Sequence, residues 1–144
     1  MGKEQLELLE RDGLYLSNPE GISMRPMIKS GRDVFRIEKL SHAPKRYDIV
    51  MYIRGEDQGV VHRVIRKDPD EYIICGDNCW SLEHVKEDQI KGIVTEFCRK
   101  GKWHKTDELG YMIYVHIWTD LLFIRRPVFY IRDKIKRWIR RALK

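Results

Sequence analysis

Between Asp33 and Lys100 the chain runs as short stretches of β-branched and aromatic residues, broken by turn signals every ten or so positions. Such spacing leaves no room for helices of ordinary length and predicts antiparallel strands. Strands are expected near Val34–Leu40, Ile49–Arg54, Gly59–Arg66, Glu71–Cys75 and Ile90–Arg99, with turns at Gly55-Glu56-Asp57-Gln58 and Asp68-Pro69-Asp70. Upstream, Glu4–Arg11 reads as a short amphipathic helix that Gly13 can close in the left-handed conformation, followed by a brief strand at Leu14–Leu16. Asn18-Pro19-Glu20-Gly21 is turn chemistry that sets Ser23 at a corner. A chain of 144 residues, 42% apolar, supports one modest core. The expected organisation is a mainly β domain over residues 1–106 and a helical extension over 107–144.

The extension holds most of the charge. From Arg125 to Lys144 there are nine Lys or Arg against one Asp, so of the net +6 the first 124 residues carry about −2. Pro127 suits the first turn of a helix, and Val128, Ile131, Ile135, Trp138 and Ile139 then recur at helical spacing opposite a basic face. Aromatic residues beside arginines fit an anionic membrane surface, reached through Pro127–Lys144. Packing on the β domain or contact with nucleic acid are the other roles weighed, and no base-reading module is present, so no nucleic-acid partner is expected. The apolar run Tyr111–Ile124 spans 14 residues and includes His116 and Asp120, short of the roughly 18 to 20 needed to cross a bilayer. Three cysteines without a disulfide-like pattern, and no secretory leader at the start, predict a cytoplasmic protein, at most peripheral to the membrane. No cofactor or metal is expected. Cys75, Cys79, His84, Cys98 and His104 are the only zinc-like set, and Cys75 and Cys98 fall where strand cores need apolar residues.

A serine hydroxyl becomes a nucleophile only beside a base, with backbone donors for the oxyanion. Three segments supply those parts: Gly21-Ile22-Ser23-Met24-Arg25-Pro26, the apolar strand Val60-Val61-His62-Arg63-Val64-Ile65, and the acidic loop Gly76-Asp77-Asn78. Ser23-Met24-x-Pro26 followed by Gly31-x-Asp33, then Tyr47-Asp48-Ile49-Val50-Met51-Tyr52, Val61-His62-Arg63-Val64-Ile65 and Gly76-Asp77-Asn78, occur in one order over residues 21–94. That order resembles the type I signal peptidases and their relatives among the SOS-response repressors. Position 62 is histidine, as in the endoplasmic-reticulum and archaeal form, where the bacterial form has lysine.

The resemblance implies a coiled, mostly antiparallel β domain and a serine endopeptidase, with Ser23 as nucleophile, His62 as general base and the Ser23 N–H as an oxyanion donor. Asp77, the family's loop aspartate, is the favoured third member of the triad. Glu83 is the alternative, standing where histidine-type relatives carry their carboxylate. Gly21, Ile22, Met24, Val60 and Val61 would hold an extended peptide or protein segment along an exposed edge. Arg63 is implied as a structural ion-pair partner. The rival reading is a non-catalytic module of the same fold that holds a peptide or docks at a membrane surface. A self-cleaving repressor ranks last, since no Ala-Gly bond precedes Ser23 and the base is not lysine.

Overall fold

The structure, a computed structural model, describes residues 3–143. Lys144, counted in the basic tail, lies outside the described residues, as do the first two residues of the expected β domain.

Among the described residues eight antiparallel strands form one sheet: β1 (Leu14–Ser17), β2 (Val34–Lys39), β3 (Ile49–Arg54), β4 (Gln58–Lys67), β5 (Tyr72–Cys75), β6 (Glu83–Val85), β7 (Ile90–Arg99) and β8 (Lys102–Lys105). Their order is β1-β2-β7-β3-β4-β5-β6, with β8 added to β7. The mainly β reading therefore holds, and each strand foreseen from the turn spacing is present within a residue or two of its expected bounds. β6 and β8 were not foreseen. They are three and four residues long, too short for alternation to register.

Alternation along β3 and β4 divides the interior in two. Ile49, Met51 and Val61 enter one cluster with Phe35, Ile37, Val94 and Leu9 of the helix α1 (Lys3–Asp12). Val50, Tyr52 and Val64 enter another with Tyr72, Ile74 and Val85. Phe35 and Ile37 are fully buried, and each such side chain stabilises the fold by about 1.5–3 kcal/mol. Met24, Met27 and Ile28 are buried in the first cluster, the packing role weighed for them from sequence. Gly13 closes α1 with φ +76° and donates its N–H to the Leu9 carbonyl, as its position suggests.

Two helices follow, α2 (Leu109–Asp120) and α3 (Leu122–Ala142), hinged at Leu121. Pro127 does not begin α3: the helix starts five residues earlier, and Pro127 sits inside it, where it has no N–H to give the Phe123 carbonyl. The helical part is bonded to the loop after β5. Arg125 donates to the Asp77 carbonyl, Trp118 Nε1 donates to the same oxygen at 2.8 Å, and Arg126 donates to the Trp80 carbonyl at 2.8 Å. Among the described residues no helix is long and apolar enough to cross a membrane.

Candidate active site

Ser23 lies in consecutive tight turns after Gly21, whose φ of +80° makes the corner. Arg25 N–H donates to the Ile22 carbonyl and Ile28 N–H to the Met24 carbonyl. The loop after β5 clamps this corner from the other side. Asn78 donates its N–H to the Ser23 carbonyl at 2.7 Å and its side-chain amide to the Ile22 carbonyl at 3.1 Å. Gly76 sits between the Ser23 segment and His62: a methyl group in its place would stand 2.8 Å from the Ser23 carbonyl oxygen and 3.0 Å from His62 Nε2. Only glycine allows these two segments to meet there.

His62 is buried on β4, and its neighbours follow from the strand register. Val50 lies opposite His62 and Tyr52 opposite Val60, which makes Tyr52 and His62 diagonal neighbours on one face. The Tyr52 hydroxyl is 3.2 Å from His62 Nδ1, and Glu83 Oε1 is also 3.2 Å from that nitrogen. Burial tends to raise the Glu83 carboxyl, but hydrogen bonds from His62, Arg54 and Tyr52 outweigh it and hold it at about 2. Glu83 is thus an anion over the whole physiological range and can only accept. The proton between the two groups belongs on Nδ1, leaving Nε2 bare on the Ser23 side. Burial, and after it the Glu83 charge, push the Tyr52 phenol well above its ordinary value, so it stays a donor.

Here the preference for Asp77 is corrected. Residue 63 points to the face opposite residue 62, and Asp77 is its partner: Arg63 Nε and Nη2 donate to the two Asp77 oxygens, each at 2.8 Å. Both side chains are 1% exposed. The Tyr114 hydroxyl adds a third bond to Asp77 at 2.8 Å, while Arg63 also reaches the Tyr47 carbonyl and the Tyr111 hydroxyl. Burial alone would lower the Arg63 value, but Asp77 and Tyr111 hold it above the ordinary one. Asp77 anchors the loop that carries Gly76 and Asn78, and Glu83 is the carboxylate against His62.

Ser23, His62 and Glu83 border one cleft of about 860 Å³, and so do Gly21, Ile22, Met24, Val60 and Val61. β5 joins β4 only from Arg63 onward, leaving Gln58–His62 paired to β3 on one side alone. Among the described residues β1 pairs with no strand but β2, and it borders the cleft through Tyr15 and Ser17. The Cys79 thiol also borders it, but burial raises its value, which keeps it a protonated, poor nucleophile.

Three contributors carry no obvious sequence signal. Tyr52 looks like a core aromatic until the register is known. Gly76 belongs to a recognisable motif, yet its need for a hydrogen side chain is a property of the packed corner. The third is α3: Arg132, Asp133, Lys136, Arg137 and Arg140 form one wall of the cleft, and Arg132 Nη1 donates to Asn78 Oδ1 at 2.7 Å.

A pH effect follows from the Glu83 carboxyl. Its value in the fold lies below the ordinary 4.5, so the ionised form stabilises the fold above that pH and the contribution is lost as pH falls toward about 2. The Tm of the wild type is expected to fall more steeply over this window than that of Glu83→Gln, as read by thermal melts at stepped pH. Parallel slopes would mean that Glu83 gains nothing from its partners.

Searches against protein-family models, curated proteins and solved structures return no match to this chain.

Proposed function

We propose that the chain is a serine endopeptidase of the histidine-base, signal-peptidase-like kind, cutting an extended peptide or protein segment. The observation that carries this reading is the polarity of His62: Nδ1 faces an ionised Glu83, and Nε2 faces the glycine-lined gap to Ser23. In this account the substrate lies as an added strand along the free edge of Gln58–His62 and beside residues 18–22. Ser23 Oγ attacks the scissile carbonyl while Nε2 takes its proton, and the Ser23 N–H faces the developing oxyanion. The imidazolium, paired with Glu83, then returns the proton to the leaving amine, and water repeats the sequence to free the acyl group. Incubation with a mixed peptide library, with new termini mapped by mass spectrometry, tests the reading. Cleavage by the wild type and none by Ser23→Ala is the expected result; identical products from both would refute it.

A membrane-surface location for the same enzyme is supported by the orientation of α3. Its polar stripe, Arg125, Arg132 and Lys136 among it, faces the β domain and the cleft. Its apolar stripe faces solvent, with Val128, Ile131, Ile135 and Trp138 all more than half exposed. Lys134 and Arg141 flank that stripe on the helical wheel, where cations meet anionic headgroups. The protein is expected to sediment with anionic vesicles and less so as salt rises, and Ile131→Asp/Trp138→Asp is expected to remain in the supernatant. Equal binding by that variant would show that the apolar face is not the contact. Removal of Pro127–Lys144 also strips the Arg132 brace and a cleft wall, so activity is expected to fall with it.

A further inference from the structure

Lys136, Arg137 and Arg140 stand on the cleft with no carboxylate partner among the described residues. The other charges there are largely spent. Glu83 is held by Arg54 and His62, and Asp133 by Arg132 at 2.9 Å, leaving Glu20 as the remaining acid of the lining. Three uncompensated cations in a concave surface raise the local concentration of anionic groups and penalise basic ones.

We infer that this wall selects substrates with acidic residues on one flank of the scissile bond, an inference that rests on the peptidase reading of the same cleft. Arg132, bonded to the Asn78 that holds the Ser23 carbonyl, marks the end of the stripe nearest the nucleophile. From there to Arg140 a helix advances about 12 Å. An extended peptide covers that distance in about four residues, so Asp or Glu within about four positions of the cut would meet the cations. Arg137 and Arg140 spend only one weak bond each on helix carbonyls, at 3.4 Å, which leaves the rest of each guanidinium open to a carboxylate. The apolar stripe on the far side of α3 is the lipid-facing candidate, and these three cations are not on it.

The test separates binding from turnover. Fluorescein-labelled peptide pools with an Ala-rich centre, carrying either Glu or Gln at the positions of one flank or the other, are titrated against Ser23→Ala by polarisation. On one flank the Glu pool is expected to bind about tenfold tighter than the Gln pool, with the ratio shrinking as salt rises. In Ser23→Ala carrying Lys136→Glu, Arg137→Glu and Arg140→Glu as well, that ratio is expected to fall to one or below. The salt series on Ser23→Ala alone decides the matter if the charge-reversed protein does not fold. No flank preference, a preference unmoved by salt, or one that survives charge reversal would overturn the inference. So would charge reversal that abolishes binding to anionic vesicles while the peptide preference stays. If the wild type cuts no peptide yet the preference is present, the peptidase reading fails and acidic-segment recognition stands.

Discussion

Ser23→Ala and His62→Ala are each expected to lower kcat for peptide cleavage by about 10³-fold or more, and the double variant to be no worse than either alone. In the proposed mechanism the two side chains act as one unit, so losing either removes the same step. Ser23 is half-buried in a turn whose shape is set by backbone bonds, and Ser23→Ala is expected to keep the wild-type Tm within a few degrees. His62 is only 5% exposed, and its loss leaves a hole beside Tyr52, so His62→Ala is expected to melt earlier while remaining folded at 25 °C. Single-turnover kinetics on the same peptide check both. Activity within tenfold of wild type in either variant would remove that residue from the reaction.

The two carboxylates are expected to separate function from stability. Glu83→Gln is expected to reduce kcat by about 10²- to 10⁴-fold, because the neutral amide no longer fixes the proton on Nδ1 or stabilises the imidazolium, and to lower Tm by less than the Asp77 change does. Asp77→Ala is expected to cost about 3–5 kcal/mol of folding free energy, since it strands Arg63 in the interior with its charge uncompensated. For a chain of this size that corresponds to a fall in Tm on the order of 10 °C or more. Activity lost by the Asp77 variant is expected to return in part on cooling, as the anchored loop re-forms. Thermal melts beside kcat measured at two temperatures distinguish the cases. An Asp77 variant that keeps its Tm and loses kcat would return the orienting role to that residue.

The strands were legible because alternation and turns are local, and the β3–β4 hairpin from Ile49 to Lys67 follows its expected course closely. Ser23 and His62 were singled out for a different reason, the joint order of four motifs resembling a known family, since a serine at a corner or a histidine in an apolar strand says little alone; the fold brings their segments together at Gly76. The choice between Asp77 and Glu83 was not legible. It depends on which face of β4 each residue addresses, and on β6 bringing Glu83 alongside β5 through a pairing of three residues. Composition likewise displayed the basic stripe of α3 but not its direction. A surface helix ordinarily buries its apolar face. Here Arg125 and Arg132 are drawn inward by the carbonyls of the Asp77–Asn78 loop, and the apolar face turns out.

The most direct test of the Ser23–His62 account is to quench the wild-type protein in acid during turnover and measure its intact mass. A population heavier by the N-terminal fragment of the cleaved peptide is expected, with tandem mass spectrometry placing the ester on Ser23 and no such species in Ser23→Ala. An adduct on any other residue, or the same cleavage products from Ser23→Ala, would contradict it.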